Sequence, residues 1–265
     1  MTSTNCSDTL ARAQRLGLFG LCAHFCELGQ QPWVPTLLNI EEAERQKRSL
    51  QRRLHSAHLG SFRLMCDFDW FWPKRIDRDH VEDLFTLGFL NEGENLLLLG
   101  PNGVGKTMIA QNVGHQALLA GHTVLFSSAS ALLNDLGERD SCWARNQRLR
   151  RYVRPQLLLI DEVGYLSYDN RHADLLFEVI TRRYERRVST VITTNKPFSQ
   201  WNEVFPNAAC VVTLIDRLTH RAELVQIEAD SYRLKEAKLR AADKAKRRRG
   251  APAAKPASAS TAAQP

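Results

Sequence analysis

Gly100-Pro101-Asn102-Gly103-Val104-Gly105-Lys106-Thr107 constrains this chain more than any other stretch. It matches the pattern G-x-x-x-x-G-K-[ST] at every fixed position. The apolar run Leu96–Leu99 before it reads as a buried strand. The amphipathic run Ile109–Ala120 after it reads as a helix closed by Gly121. A strand, a glycine-rich loop and a helix N-terminus in succession turn several backbone N–H groups toward one point. The helix dipole adds to that field, so a polyphosphate binds there. Lys106 is expected to reach the β- and γ-phosphates and Thr107 to ligate Mg²⁺, which makes the chain a binder of a nucleoside triphosphate.

A phosphate loop alone does not separate a kinase, an ATPase and a passive binder. The apolar run Leu157–Ile160 ends in Asp161-Glu162. Asp161 at a strand tip is expected to hold the Mg²⁺ shell through water. Glu162 beside it is placed to orient and polarise a water for in-line attack on the γ-phosphorus. A small-molecule kinase does not need that second carboxylate, because its acceptor is not water. A DNA-binding module using ATP only as a latch would not need it either. Thr193-Thr194-Asn195 closes the next apolar run, and the neutral amide of Asn195 is expected to hydrogen-bond the lytic water or the γ-phosphate. Asp216-Arg217-Leu218 and Ser231-Tyr232-Arg233 follow, where a guanidinium completes such a site.

Further strands are expected at Thr123–Ser127, Thr190–Thr194 and Leu224–Glu228, with a helix over Ala173–Tyr184. The alternation implies an α/β fold, a mainly parallel sheet covered on both faces. Residues 1 to about 65 read as helical. Asn39 is expected to cap a helix whose apolar stripe, Ala43, Leu50, Leu54 and Ala57, packs inward. Arg45, Arg48, Arg52 and His55 form a cationic ridge on its other side, with Lys47 and Arg53 between. Asp79-His80-Val81-Glu82 reads as a capping box. With 265 residues, one or two domains are expected. The net charge of +7 equals the excess of nine Lys/Arg over Glu236 and Asp243 in residues 235–265. That tail loses periodicity and is expected to be disordered. No apolar run is long enough to span a bilayer and no secretory signal is visible at Met1–Asp8, so a cytoplasmic location without membrane contact is expected. Six scattered cysteines fit idle thiols there.

The order of these motifs resembles the AAA+ ATPases of the DnaC-like clade, and more narrowly the IstB-like helper ATPases of insertion-sequence transposition. The carrying segments are Arg45–Leu59, Asp161–Leu166, Arg182–Arg186, Thr193–Phe205 and Asp216–His220. The resemblance implies a three-layer P-loop fold with a small N-terminal helical domain. It divides the chain into a DNA-binding part (1–65), the ATPase (66–234) and the basic tail (235–265). It implies a catalytic set of Lys106, Asp161, Glu162, Asn195, Arg217 and Arg233. Arg217 corresponds to an arginine finger entering a neighbouring subunit's site, and Arg233 to a sensor of the γ-phosphate in its own. The implied activity is ATP hydrolysis with Mg²⁺ by a homo-oligomer on double-stranded DNA that recruits an integrase-like transposase. A helicase loader of the same clade is the alternative. Arg45, Lys47, Arg48, Arg52 and Arg53 are the expected DNA contacts, directed to phosphates because no base-reading motif is visible. The chain departs from its relatives at Glu228-Ala229-Asp230, where they usually carry a glycine followed by an acid.

Overall fold

The computed structural model describes residues 3–138, 142–165, 170–205 and 209–250. Tail residues 251–265, and Leu166 of the Asp161–Leu166 segment, lie outside them. Four helices lead: α1 (Ser3–Arg15), α2 (Phe19–Ala23), α3 (Phe25–Leu28) and α4 (Trp33–Ala57). The connector then carries α5 (Arg78–Asp83) and α6 (Gly88–Glu92) into the alternating part. That part runs β1 (Asn95–Leu99), α7 (Lys106–Leu119), β2 (Val124–Ser128), α8 (Ala129–Gly137), α9 (Cys142–Val153) and β3 (Leu157–Val163). It continues with α10 (Asn170–Glu185), β4 (Ser189–Thr194), α11 (Trp201–Val204), α12 (Val211–Thr219), β5 (Ala222–Gln226) and α13 (Tyr232–Gly250).

Every strand pair is parallel and the order is β2-β3-β4-β1-β5. Period-two alternation sends Leu96, Leu98, Leu157, Leu159 and Val191 to one face and Leu97, Leu158, Ile160 and Ile192 to the other. Both sets are buried, under α7 on one side and under α8, α9, α10 and α12 on the other. The chain leaves β1 for the far edge and returns through β3 and β4, so the C-terminal ends of β1, β3 and β4 lie side by side. Loops distant in sequence therefore open at one place, as ligand crevices in open α/β sheets do. Arg183, buried at the opposite end, donates to the carbonyls of Tyr152, Pro155 and Ser189 and to Thr190 Oγ1. It thereby ties α9 and α10 to the starts of β3 and β4. Burial pulls the pKa of its guanidinium down.

Four expectations change. First, α4 begins at Trp33, not Asn39. Pro35 falls in its first turn, where a missing N–H costs nothing, and the Asn39 side chain instead accepts from Arg12 at 2.6 Å. Second, the stripe Ala43, Leu50, Leu54 and Ala57 does not pack as a unit. Val34 and Leu38 bury against Ala13 and Leu16, Ala57 buries in the core between the sheet and α7, and Leu54 stays 39% exposed. The helix is about 37 Å long, so it touches the bundle at one end and the core at the other, with its middle between them. Third, the helix near residue 80 is capped by Asp77, whose extended backbone lets its carboxylate accept from His80 N at 3.0 Å, while Glu82 pairs with Arg78 at 2.6 Å. Fourth, residues 235–250, read from the sequence as losing periodicity, continue α13. They are rich in Ala, Leu, Lys and Arg, which favour helix. The start of α13 is held by Arg63–Glu236 at 2.7 Å and Lys235–Asp69 at 2.9 Å. Glu228-Ala229-Asp230 forms without a positive φ, bridged to Arg75, so this chain needs no glycine there. Among the described residues no helix is long and apolar enough to cross a membrane.

Candidate functional site

The loop 100–105 closes β1 onto α7. Gly103 and Gly105 take φ values of 78° and 106°. A Cβ on Gly105 would stand 2.6 Å from the Phe68 ring, and one on Gly103 would collide with Ser231 Oγ. The glycines are therefore required by conformation and by space, because the connector and the start of α13 press against the loop. Tyr232 N donates to Gly103 O at 3.0 Å. Lys106 Nζ donates to the carbonyls of Gly100 and Pro101, both at 2.7 Å. Burial pushes its pKa down to about 8, partly offset by Asp161 and Glu162 and reinforced by Arg233.

Two carboxylates on successive strand residues ordinarily point to opposite faces. Here Glu162 has a φ of 61°, and the β3–β4 register slips between Ile160 and Val163. This kink at the strand tip breaks the alternation. Asp161 is 7% exposed and its carboxylate accepts from Thr107 Oγ1 at 2.9 Å and from Thr193 Oγ1 at 2.5 Å. Thr193 Oγ1 also accepts from Glu162 N at 2.9 Å, so one hydroxyl holds the Asp161 carboxylate and the Glu162 backbone. Glu162 itself is exposed and lines the cavity. Asn195 lines it too, and its Oδ1 is buried without a hydrogen-bond partner among the described residues. A buried acceptor left bare at a cavity wall fits a donor arriving with the ligand.

The cavity measures about 780 Å³. Asn102–Thr107, Glu162, Thr193, Asn195 and Arg233 line it, and its outer part is walled by Phe68, Trp72, Tyr232 and the Arg63–Glu236 pair. Trp72 Nε1 donates to Asp230 O at 2.8 Å, and Lys235 Nζ sits 4.3 Å above the Trp72 ring. Thus Lys106, Thr107, Asp161, Glu162, Asn195 and Arg233 stand at one place. Arg217 does not. Its Nη1 donates to Thr181 Oγ1 and its guanidinium lies 4.9 Å over Phe177, on the α10–α12 side. Sequence reasoning missed Thr193 as the link between the acids, although it stands in the same Thr-Thr-Asn run. It also missed the outer wall, which only contacts across more than 150 residues create.

The arrangement suits a polyphosphate with a divalent cation. The loop offers N–H groups and an ammonium, Thr107 Oγ1 and Asp161 offer hard oxygens suited to Mg²⁺, and Glu162 and Asn195 line the same cavity. Because the ammonium form of Lys106 is the one that attracts phosphate, ATP affinity is expected to be flat below pH 8. Above it, affinity falls by up to about tenfold per pH unit as the lysine deprotonates. Titration of a fluorescent ATP analogue from pH 7 to 9.5 checks this, and a constant Kd across that range contradicts it.

On α4, Arg45 pairs with Glu41 at 2.5 Å, and Arg48 lies 3.7 Å from the same carboxylate. Lys47 and Arg52 are exposed and meet no carboxylate among the described residues. Arg53 leaves the ridge. It turns to the core and donates to Ser49 Oγ at 2.6 Å and to Leu118 O at 3.3 Å, where the carbonyl end of α7 favours a cation.

A family model described as IstB-like ATP binding protein matches residues 20–241. The ATP-binding protein of insertion sequence IS5376 from Geobacillus stearothermophilus is 36% identical over 203 residues, covering 77% of this chain and 80% of that protein. The ATP-binding protein of insertion sequence IS21 from Pseudomonas aeruginosa is 35% identical over 210 residues, 79% of each. Among solved structures, that of DnaI superposes with a TM-score of 0.53 at 19% identity, covering 64% of this chain and 92% of that one. The replication initiator DnaA bound to AMPPCP and single-stranded DNA gives 0.50 at 21% identity, covering 67% and 56%. At these identities the likeness speaks for the fold alone, a parallel sheet flanked by helices.

Proposed function

The chain belongs to the IstB-like ATP-binding protein family, and from that premise we propose that it is a DNA-dependent ATPase serving insertion-sequence transposition in the cytoplasm. In this reading it assembles on double-stranded DNA, hydrolyses ATP and recruits and stimulates an integrase-like transposase. Residues 66–234 do the chemistry, residues 1–65 hold DNA, and the basic segment 235–265 adds cationic charge.

Lys106 and the loop N–H groups bind the triphosphate, and Thr107 and Asp161 hold Mg²⁺. That ion, when bound, neutralises charge on the β- and γ-phosphates. Glu162 orients the attacking water and accepts its proton, and Asn195 fixes that water or the γ-phosphate. Arg233 reads the γ-phosphate from within the same copy. Arg217 supplies charge stabilisation to the site of the adjoining copy.

The observation that carries this reading is the division of the catalytic set. Thr193 gathers Asp161 and Glu162 at the phosphate loop, while Arg217 of the same chain lies outside the cavity. Mixing tests it. Arg217→Ala and Glu162→Gln are each expected to lose turnover alone, and to regain part of it when mixed with duplex DNA, because one supplies the finger and the other an intact site. Phosphate release that stays at the level of the separate variants at every mixing ratio contradicts a shared site.

The exposed cations of α4 carry the DNA part of the proposal. Charge reversal at Arg48 and Arg52 is expected to weaken binding on all duplex sequences alike, and to lower the salt slope by roughly 0.9 per lost phosphate contact. Anisotropy titrations from low to high salt on two unrelated sequences measure it. A loss confined to one sequence would point to base reading instead.

A further inference from the structure

Helix α9 bears a second cationic face, separate from the ridge of α4 and from the nucleotide cavity. Its twelve residues contain Arg145, Arg148, Arg150 and Arg151 and no acid. Leu149, Tyr152 and Val153 are buried against the core. Positions 143, 147, 150 and 154, at helical spacing, therefore form one outward stripe of Trp143, Gln147, Arg150 and Arg154, all exposed. Arg148 is neutralised by Asp135 at 2.7 Å. Arg145, Arg150, Arg151 and Arg154 meet no carboxylate among the described residues. Arg183 ties the end of α10 to the end of α9.

A solvated charged face needs no tryptophan, yet Trp143 is 73% exposed at the head of this stripe. Guanidinium groups in line with an open aromatic ring match single-stranded nucleic acid, in which phosphates and unstacked bases are presented together. An intact duplex offers the phosphates but hides the base faces. The stripe is about 16 Å long, the span of roughly five stacked nucleotides of one strand.

We propose that α9 is a second DNA-contacting surface, on the ATPase part of the chain, that takes single-stranded or gapped DNA by phosphate contacts to Arg150 and Arg154 and by stacking of an unpaired base on Trp143. The inference rests on the reading of the chain as DNA-dependent. It adds a different surface and a different form of DNA from those assigned to α4.

The test uses the full chain, with labelled intact duplex and labelled gapped duplex of equal length in the presence of an ATP analogue. Arg150→Glu with Arg154→Glu is expected to bind the gapped duplex at least about tenfold more weakly, with the salt slope lowered by about 1.4 for two single-strand contacts. Trp143→Ala is expected to lose roughly 5- to 100-fold on the gapped duplex and to bind the intact duplex as before. All three positions are exposed, and unchanged thermal melting and DNA-free ATP turnover confirm that the variants fold. Wild-type affinity of both variants for gapped DNA overturns the proposal. So does a wild-type chain that binds poly-glutamate as tightly as gapped DNA and loses both through the same arginines, which assigns the face to an acidic polypeptide. A wild-type chain that binds no DNA overturns the broader functional reading. Gapped-duplex binding that stays at wild-type strength in the α9 variants but drops on charge reversal at Arg48 and Arg52 overturns only the second surface.

Discussion

Glu162→Gln is expected to keep ATP bound and to reduce phosphate release by about 10²- to 10⁴-fold, the usual weight of a general base. The glutamine has the same length and the same backbone strain at a φ of 61°, so the loop geometry is retained. Its neutral amide cannot take a proton from water. The groups proposed to bind the phosphates lie elsewhere, on the loop, Lys106 and Thr107, which is why affinity is expected to stay within about twofold, well under 1 kcal/mol. Parallel measurements of phosphate release and of fluorescent nucleotide binding, each with duplex DNA, separate the two effects. Unchanged turnover would remove Glu162 from the mechanism, and a simultaneous collapse of ATP affinity would assign it to binding.

Lys106→Ala acts on the other half. Hydrogen bonds from a charged group contribute about 1.5–3 kcal/mol each, so losing the ammonium is expected to weaken ATP by at least roughly 100-fold. The same change is expected to leave the thermal midpoint of the ligand-free protein equal or higher. Lys106 is 9% exposed and its pKa is driven down by burial, so the folded chain gains little from holding that charge. Of the two carbonyls that it satisfies, that of Pro101 belongs to an exposed residue, where water can replace the ammonium. Calorimetric titration with ATP and thermal melting of both proteins decide the matter. Retained affinity contradicts the cradle assignment, and a clearly lowered midpoint makes Lys106 a structural residue. Together the two variants distinguish binding from cleavage within one cavity.

Much of this architecture is legible in the amino-acid sequence. The five strands lie within two residues of where apolar runs place them, because buried parallel strands are nearly continuous in Leu, Ile and Val. The residues of the site are likewise readable from their order along the chain. The errors fall where a local signal has a competitor nearby. Asn39 and Asp79 are good caps, but Pro32 and Asp77, earlier in the chain, begin the helices. In α4 the apolar spacing is correct, but nothing lies opposite Ala43 and Leu54, and periodicity cannot report a missing neighbour. Arg53 sits among cations in sequence but is withdrawn by a carbonyl 65 residues away.

Residue chemistry and spacing by themselves determined that strand, glycine loop and helix form a phosphate cradle, since those contacts are local. They also determined that two acids follow a buried strand. Only the tertiary structure decided that Asp161 and Glu162 serve the same cavity, because the kink at Glu162 and the bridging hydroxyl of Thr193 depend on β4 lying beside β3. It alone walled the cavity with Trp72 and α13, and it alone left Arg217 outside. Those outcomes depend on which strands neighbour one another, and pairing across long stretches of chain is set by the packing of the whole core.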